Sequence, residues 1–204
     1  MDTRAIRLGF RSAAAAAAIL LASAAQAAVQ LYDVTLNGPT EGTSSLGTGT
    51  GTVQYDPATH LLTVSATFAG LTGTTTASHI HAATASPLTG TAGVATQLPT
   101  FSAFPLGVTS GSFTQTLDLT LASSFNPNYI TANGGNVASA EAALFAAMNS
   151  GRSYLNIHTN VFPGGEIRGF LIAVPELGTW AMMLMGFGAI GLTIRRRPAS
   201  FARI

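Results

Sequence analysis

The side chains best placed for chemistry are three histidines: His79 and His81, one residue apart, and His158 within Tyr154-Leu-Asn-Ile-His158-Thr159. On a β-strand, residues two apart leave the same face, so His79 and His81 project together while Ile80 points the other way. The same parity sets Asn156 and His158 opposite Leu155 and Ile157. With the aliphatic residues turned to a core, all three imidazoles fall on an outward or rim face, and they converge if their strands are neighbours. Three neutral imidazoles suit copper or zinc, with a fourth position left for water. The alternative is three half-exposed polar residues bonded to hydroxyls and backbone on a solvated face. His60 follows a turn without such a pattern and reads as a surface residue.

A second concentration of signal is Pro163-Gly164-Gly165-Glu166-Ile167-Arg168-Gly169. Pro-Gly-Gly permits a tight turn with positive φ that leads into a last strand. Glu166 and Arg168 share a face and are placed to pair with each other or across to a neighbouring strand, as a structural ion pair rather than an active site. There is no Ser-His-Asp spacing, no Gly-x-Ser-x-Gly elbow and no phosphate-binding glycine loop. Asp118 and Glu141 stand too isolated for an acid–base pair, so no catalytic residue is assigned and no enzyme is expected.

The elements that must position these residues are mostly strands. Period-two patterns rich in Thr, Val and aromatics predict strands at residues 30–36, 47–55, 61–68, 77–82, 92–98, 112–119, 153–159 and 166–173. Asp56-Pro57 marks a turn between two of them. Residues 137–148 alone read as helix, with Gly151 just past its end. Eight short strands and one short helix predict a mainly β domain, an antiparallel sandwich or small barrel.

Both ends read as processing segments flanking one domain at residues 28–173. Arg4, Arg7 and Arg11, the apolar run 13–24 and Ala25-Gln26-Ala27 compose a signal peptide over residues 1–27. Residues 174–204 carry an apolar stretch from Leu177 to Ile194, just long enough for a transmembrane helix, with Trp180 at one interface and Arg195, Arg196 and Arg197 on the cytoplasmic side. The expected product is an exported protein, anchored in the inner membrane and then delivered to the cell surface or beyond. The body carries two cations, Arg152 and Arg168, against six carboxylates, so nucleic acid is an unsuitable partner. With no cysteine, disulfides and lipoprotein acylation are both excluded and the fold depends on its packed core.

Two resemblances add to this reading. Pro175-Glu176, Trp180-Ala-Met-Met183 and the arginine triplet resemble the PEP-CTERM sorting signal. That likeness implies signal peptidase and an exosortase-like enzyme as processing partners, and an exopolysaccharide-producing cell. Leu177 departs from it, standing where the family usually has a second proline. His79-Ile-His81, Asn156-Ile-His-Thr159 and Gly164-Gly-Glu-Ile-Arg-Gly169, with Asn133-Gly-Gly and the alanine-rich helix, resemble the CHRD domain over roughly residues 29–172. Glu41 is similar to that family's early glutamate, without its prolines, and Ala82 stands where it usually has glycine. The resemblance implies an immunoglobulin-like β-barrel distantly similar to Cu,Zn superoxide dismutase, with no settled activity. Four histidines are too few for a dinuclear dismutase site, so that chemistry does not follow from the fold. The function expected is a non-catalytic structural or interaction module of the cell surface or matrix, with a mononuclear copper or zinc binder as the alternative and a secreted enzyme as the remotest reading.

Overall fold

In the computed structural model, residues 28–175, 183–188, 190 and 191 are described. The signal peptide expected at residues 1–27 lies outside them, as do Glu176, Trp180, Arg195, Arg196 and Arg197 of the expected sorting tail. Residues 183–188, 190 and 191 are helical. Among the described residues no helix is long and apolar enough to cross a membrane.

The strands are β1 (Gln30–Asn37), β2 (Thr48–Asp56), β3 (Leu61–Ala69), β4 (Thr75–Ala82), β5 (Gly111–Asp118), β6 (Ser153–Thr159), β7 (Ile167–Phe170) and β8 (Ile172–Ala173). They form one antiparallel sheet in the order β4-β6-β7-β1-β2-β3-β5, with β8 added on β1, and the sheet curls into a half-barrel. Alternation decides which side chains fill it. Tyr32, Val34 and Leu36 of β1, Leu62 and Val64 of β3, and Leu155 and Ile157 of β6 all point inward and are buried. Complete burial of an aliphatic side chain of this size stabilises by about 1.5–3 kcal/mol, so the inward face fixes the register of every strand.

The helices are α1 (Gly38–Glu41), α2 (Pro127–Ala132) and α3 (Val137–Asn149). Each begins on an asparagine: Asn37 Oδ1 accepts from Thr40 N, Asn126 Oδ1 from Asn128 N and Asn136 Oδ1 from Ser139 N. Such caps satisfy N–H groups that a helix start leaves orphaned. Only α3, which buries Ala140, Leu144, Ala147 and Met148, has the length that periodicity detects. The expectation of a single helix therefore fails at α1 and α2, of four and six residues, which are too short to show a face.

Two strand expectations are also corrected. Residues 92–98 make only isolated bridges, Val94 to His81 and Thr96 to Phe125. The segment follows the free edge of β4, through Ala95 N to Ile80 O at 2.9 Å and, further on, Phe101 N to Ser78 O at 3.2 Å. The last strand, expected at residues 166–173, is two strands. β7 lies between β6 and β1, whereas β8 pairs with β1, and Leu171 separates the two.

Candidate metal centre

β4 and β6 are neighbours, in a register that sets His79 opposite Asn156, His81 opposite Tyr154 and Ala77 opposite His158. The three histidines predicted from parity are therefore brought together on the outer face of the sheet. One ring nitrogen from each lies within 4.8 Å of the others. Ring centroids are 5.9 Å apart for His79 and His81, 5.3 Å for His79 and His158, and 5.8 Å for His81 and His158.

The site is not the solvated rim that parity alone suggested. His79 and His81 are only 5% and 7% exposed, because the chain after β4 and the turn after β6 fold over them. Those covering segments supply carbonyls to the imidazoles. His79 Nε2–H donates to Pro99 O at 2.6 Å, His81 Nδ1–H to Ala92 O at 2.9 Å and His158 Nδ1–H to Pro163 O at 2.9 Å. Each bond fixes a tautomer and leaves the other nitrogen with its lone pair. Those nitrogens, His79 Nδ1, His81 Nε2 and His158 Nε2, are buried and have no hydrogen-bond partner.

Electrostatics reinforce the neutral state. Burial pushes His79 and His81 down to about 4, against the opposing effect of their carbonyl bonds, and burial also lowers His158. Neutral imidazoles with one unpartnered nitrogen and the other N–H bound to a carbonyl are held as metal-ligating histidines are. An ion with bonds of about 2.0–2.1 Å requires nitrogen separations near 3.5 Å, so separations of up to 4.8 Å shorten by about 1.3 Å at most.

Around this trio lies a layer that parity hinted at only for Asn156. Tyr154 stacks on His81 with centroids 4.8 Å apart and planes at 9°, and its hydroxyl donates to Ala92 O at 3.2 Å. The Arg168 guanidinium sits 4.7 Å from the centre of the Tyr154 ring. Tyr154 lies two and four residues before Asn156 and His158 on the same face, which is the sequence signal that could have found it. The carbonyls of Ala92, Pro99 and Pro163 have no side-chain signature at all.

Glu166 and Arg168 do not pair with each other. Arg168 Nε donates to Thr40 O at 2.6 Å and lies 3.4 Å from Glu41 Oε2. Glu166, fully buried, accepts from Ser45 Oγ, Thr72 N, Gly73 N and Thr159 Oγ1. Burial alone would raise its carboxyl, but those four donors outweigh it and hold the group below the usual range. Gly165 takes φ +132°, and a Cβ there would come within 2.6 Å of Asn156 Nδ2 and 2.8 Å of Glu41 Cδ. Gly164 opens the same turn on space. His60 is exposed, as its sequence context suggested, but it is not isolated: its Nδ1 lies 2.9 Å from Glu141 Oε1, which also accepts from Tyr55 Oη at 2.7 Å. Glu141 therefore serves to fasten α3 to the β2–β3 turn.

A concavity of about 800 Å³ lies elsewhere, on the open outer face of β1, β2, β3 and β5, lined mainly by threonine and serine. No curated protein and no solved structure matches the chain. The profile of the CHRD domain matches residues 32–171, which spans β1 through β7 and includes all three clustered histidines. The chain thus belongs to the CHRD domain family.

Proposed function

We propose that the protein is an exported CHRD module whose working site is a mononuclear copper or zinc centre formed by His79, His81 and His158. The observation that carries this reading is the set of three buried lone-pair nitrogens, each left unpartnered while its ring is locked by a backbone carbonyl. Buried polar atoms in native proteins nearly always find a partner, so three unpaired acceptors facing one point need one. The role is binding rather than catalysis.

The test is calorimetric titration of the purified full-length chain with Zn(II) and with copper. One ion per chain is expected, with at least ~100-fold weaker binding after His81→Ala, in keeping with the loss of one of three ligands. Equal binding by both proteins would remove the site. Because the imidazoles are already biased to the neutral form, proton competition sets in below the ordinary histidine range near 6.5.

A second reading, compatible with the first, is a structural or interaction module of the cell surface. The open hydroxyl-rich face supports it, as a surface of suitable chemistry for neutral exopolysaccharide. Delivery would use the signal peptide, inner-membrane anchoring by the tail helix, and exosortase-type processing near Pro175-Glu176. Mass spectrometry of both termini of the protein from its native cell tests this: an intact Arg195-Arg196-Arg197 tail on all surface-located molecules would exclude processing.

A further inference from the structure

Resting on the metal-binding reading above, we infer that this centre selects monovalent copper, holding Cu(I) in preference to Cu(II) and Zn(II). The grounds are charge and closure. Among the described residues the only cluster that could hold an ion consists of the three neutral imidazoles, with no carboxylate in the set. Every carboxylate of the body is committed elsewhere. Glu166 takes four donors, Glu41 faces Arg168, and Glu141 holds Tyr55 and His60. Asp56 and Asp118 bond within their own turns, and Asp33 lies exposed on the open face.

The charged group that packs against this layer is a cation, Arg168, which Glu41 faces at 3.4 Å. Arg168 lies over the outer side of Tyr154, which stacks on His81. The cost of placing an unneutralised ion in a buried site grows with the square of its charge, so a dication bears about four times the penalty of a monocation there. The free nitrogens are also withdrawn from solvent, so an entering ion must shed its water. Zinc normally completes a tetrahedron with a fourth ligand, whereas Cu(I) is satisfied by three nitrogens in a plane.

Asn156 supplies the control. It lies directly between His79 on β4 and Arg168 on β7, and its Oδ1 is buried without a partner. Asn156→Asp puts a negative charge at that point with almost no change of shape. Whether the new carboxylate faces the ion or Arg168, the field at the site becomes less positive, and divalent ions gain.

The experiment measures Cu(I) affinity by anaerobic competition with a chromogenic cuprous chelator, Cu(II) and Zn(II) affinity by calorimetry, and the potential of the bound copper by redox titration. The full-length chain should bind Cu(I) ~1000-fold more tightly than Cu(II), which raises the copper potential by about 180 mV over the aqueous couple at 59 mV per tenfold. Asn156→Asp should cut that preference by ~100-fold, lowering the potential by about 120 mV, and should tighten Zn(II). Equal or tighter binding of Cu(II) or Zn(II) by the unmodified chain overturns the selectivity while leaving the metal site standing. An unmoved potential in a folded Asn156→Asp protein overturns the charge argument. Failure to bind any of the three ions overturns the metal reading itself, and the unmodified chain decides the matter even where the variant does not fold.

Discussion

The outer face of the one curled sheet has two ends, and they are built on opposite terms. Across β1, β2, β3 and β5 the outward positions run Asp33, Thr52, Ser65, Thr114 in one cross-strand row and Thr35, Thr50, Thr67, Ser112 in the next. These side chains satisfy one another and water, as Ser65 Oγ and Thr114 Oγ1 do at 2.9 Å. Across β4, β6 and β7 the same outward parity carries His79, His81, Tyr154, Asn156, His158 and Arg168, and loops and α1 cover it. Six of the seven buried polar side-chain atoms without a partner among the described residues belong to this end: one from each histidine, Asn156 Oδ1, Arg168 Nη1 and Glu41 Oε2. The difference teaches that strand alternation places polar residues outside without saying whether outside is wet. The chain encloses the end that holds the unpaired nitrogen lone pairs and leaves bare the end where hydroxyls bond one another.

The largest way to break this contrast is to release the cover. Glu166 joins three separate segments through Ser45, the adjacent Thr72 and Gly73, and Thr159, next to the turn that carries Pro163 over His158. Glu166→Ala leaves three buried donors and one part-buried donor, Thr72 N, without their acceptor and should lower stability by about 4 kcal/mol. Urea unfolding followed by tryptophan-independent circular dichroism measures it, and a loss under 1 kcal/mol would mean the cover is held by something else.

Acid provides a second, smaller wedge that acts on the covered end. His79 and His81 have folded values near 4 against 6.5 unfolded, so between these limits the unfolded chain binds more protons and stability rises with pH. Their contribution is complete above 6.5 and is lost as pH falls toward about 4, by on the order of 3 kcal/mol for each of the two. Glu166, held below its usual range, keeps its charge through most of this window and yields only beneath it. The thermal midpoint of metal-free protein should therefore drop by several degrees from pH 7 to pH 5, and much less in His79→Gln/His81→Gln. Equal slopes would show that the imidazoles are solvated.

How far the sequence carries this picture follows from which forces are local. Seven of the eight predicted strand positions are strands because Thr, Val and aromatic alternation is a local pattern, and α3 is long enough for a helical period. The convergence of His79, His81 and His158 was readable from parity on the condition that β4 and β6 adjoin, a condition no residue states. What could not be read was set by distant contacts. Residues 92–98 have strand-like composition yet meet the edge of β4 only through an isolated bridge and a few backbone bonds, giving the carbonyl of Ala92 to His81. Arg168 prefers Glu41 and Thr40 over Glu166 because α1 comes to rest beside β7. His60 meets Glu141 across 81 residues of chain.

The smallest effect sharpens the comparison from the open end. Thr114→Val removes one hydroxyl bonded to Ser65 in the middle of the bare face and keeps the β-branched shape that a strand favours. If water can replace that partner, unfolding free energy should change by less than about 0.5 kcal/mol, as for other surface substitutions. Metal affinity should stay the same, because the altered residue lies on β5, at the opposite end of the sheet from β4. Urea unfolding and a zinc titration on the same preparation check both statements. A stability cost above 1 kcal/mol would show that this row of hydroxyls is not freely solvated, and the two ends would then differ in what covers them rather than in whether they are covered.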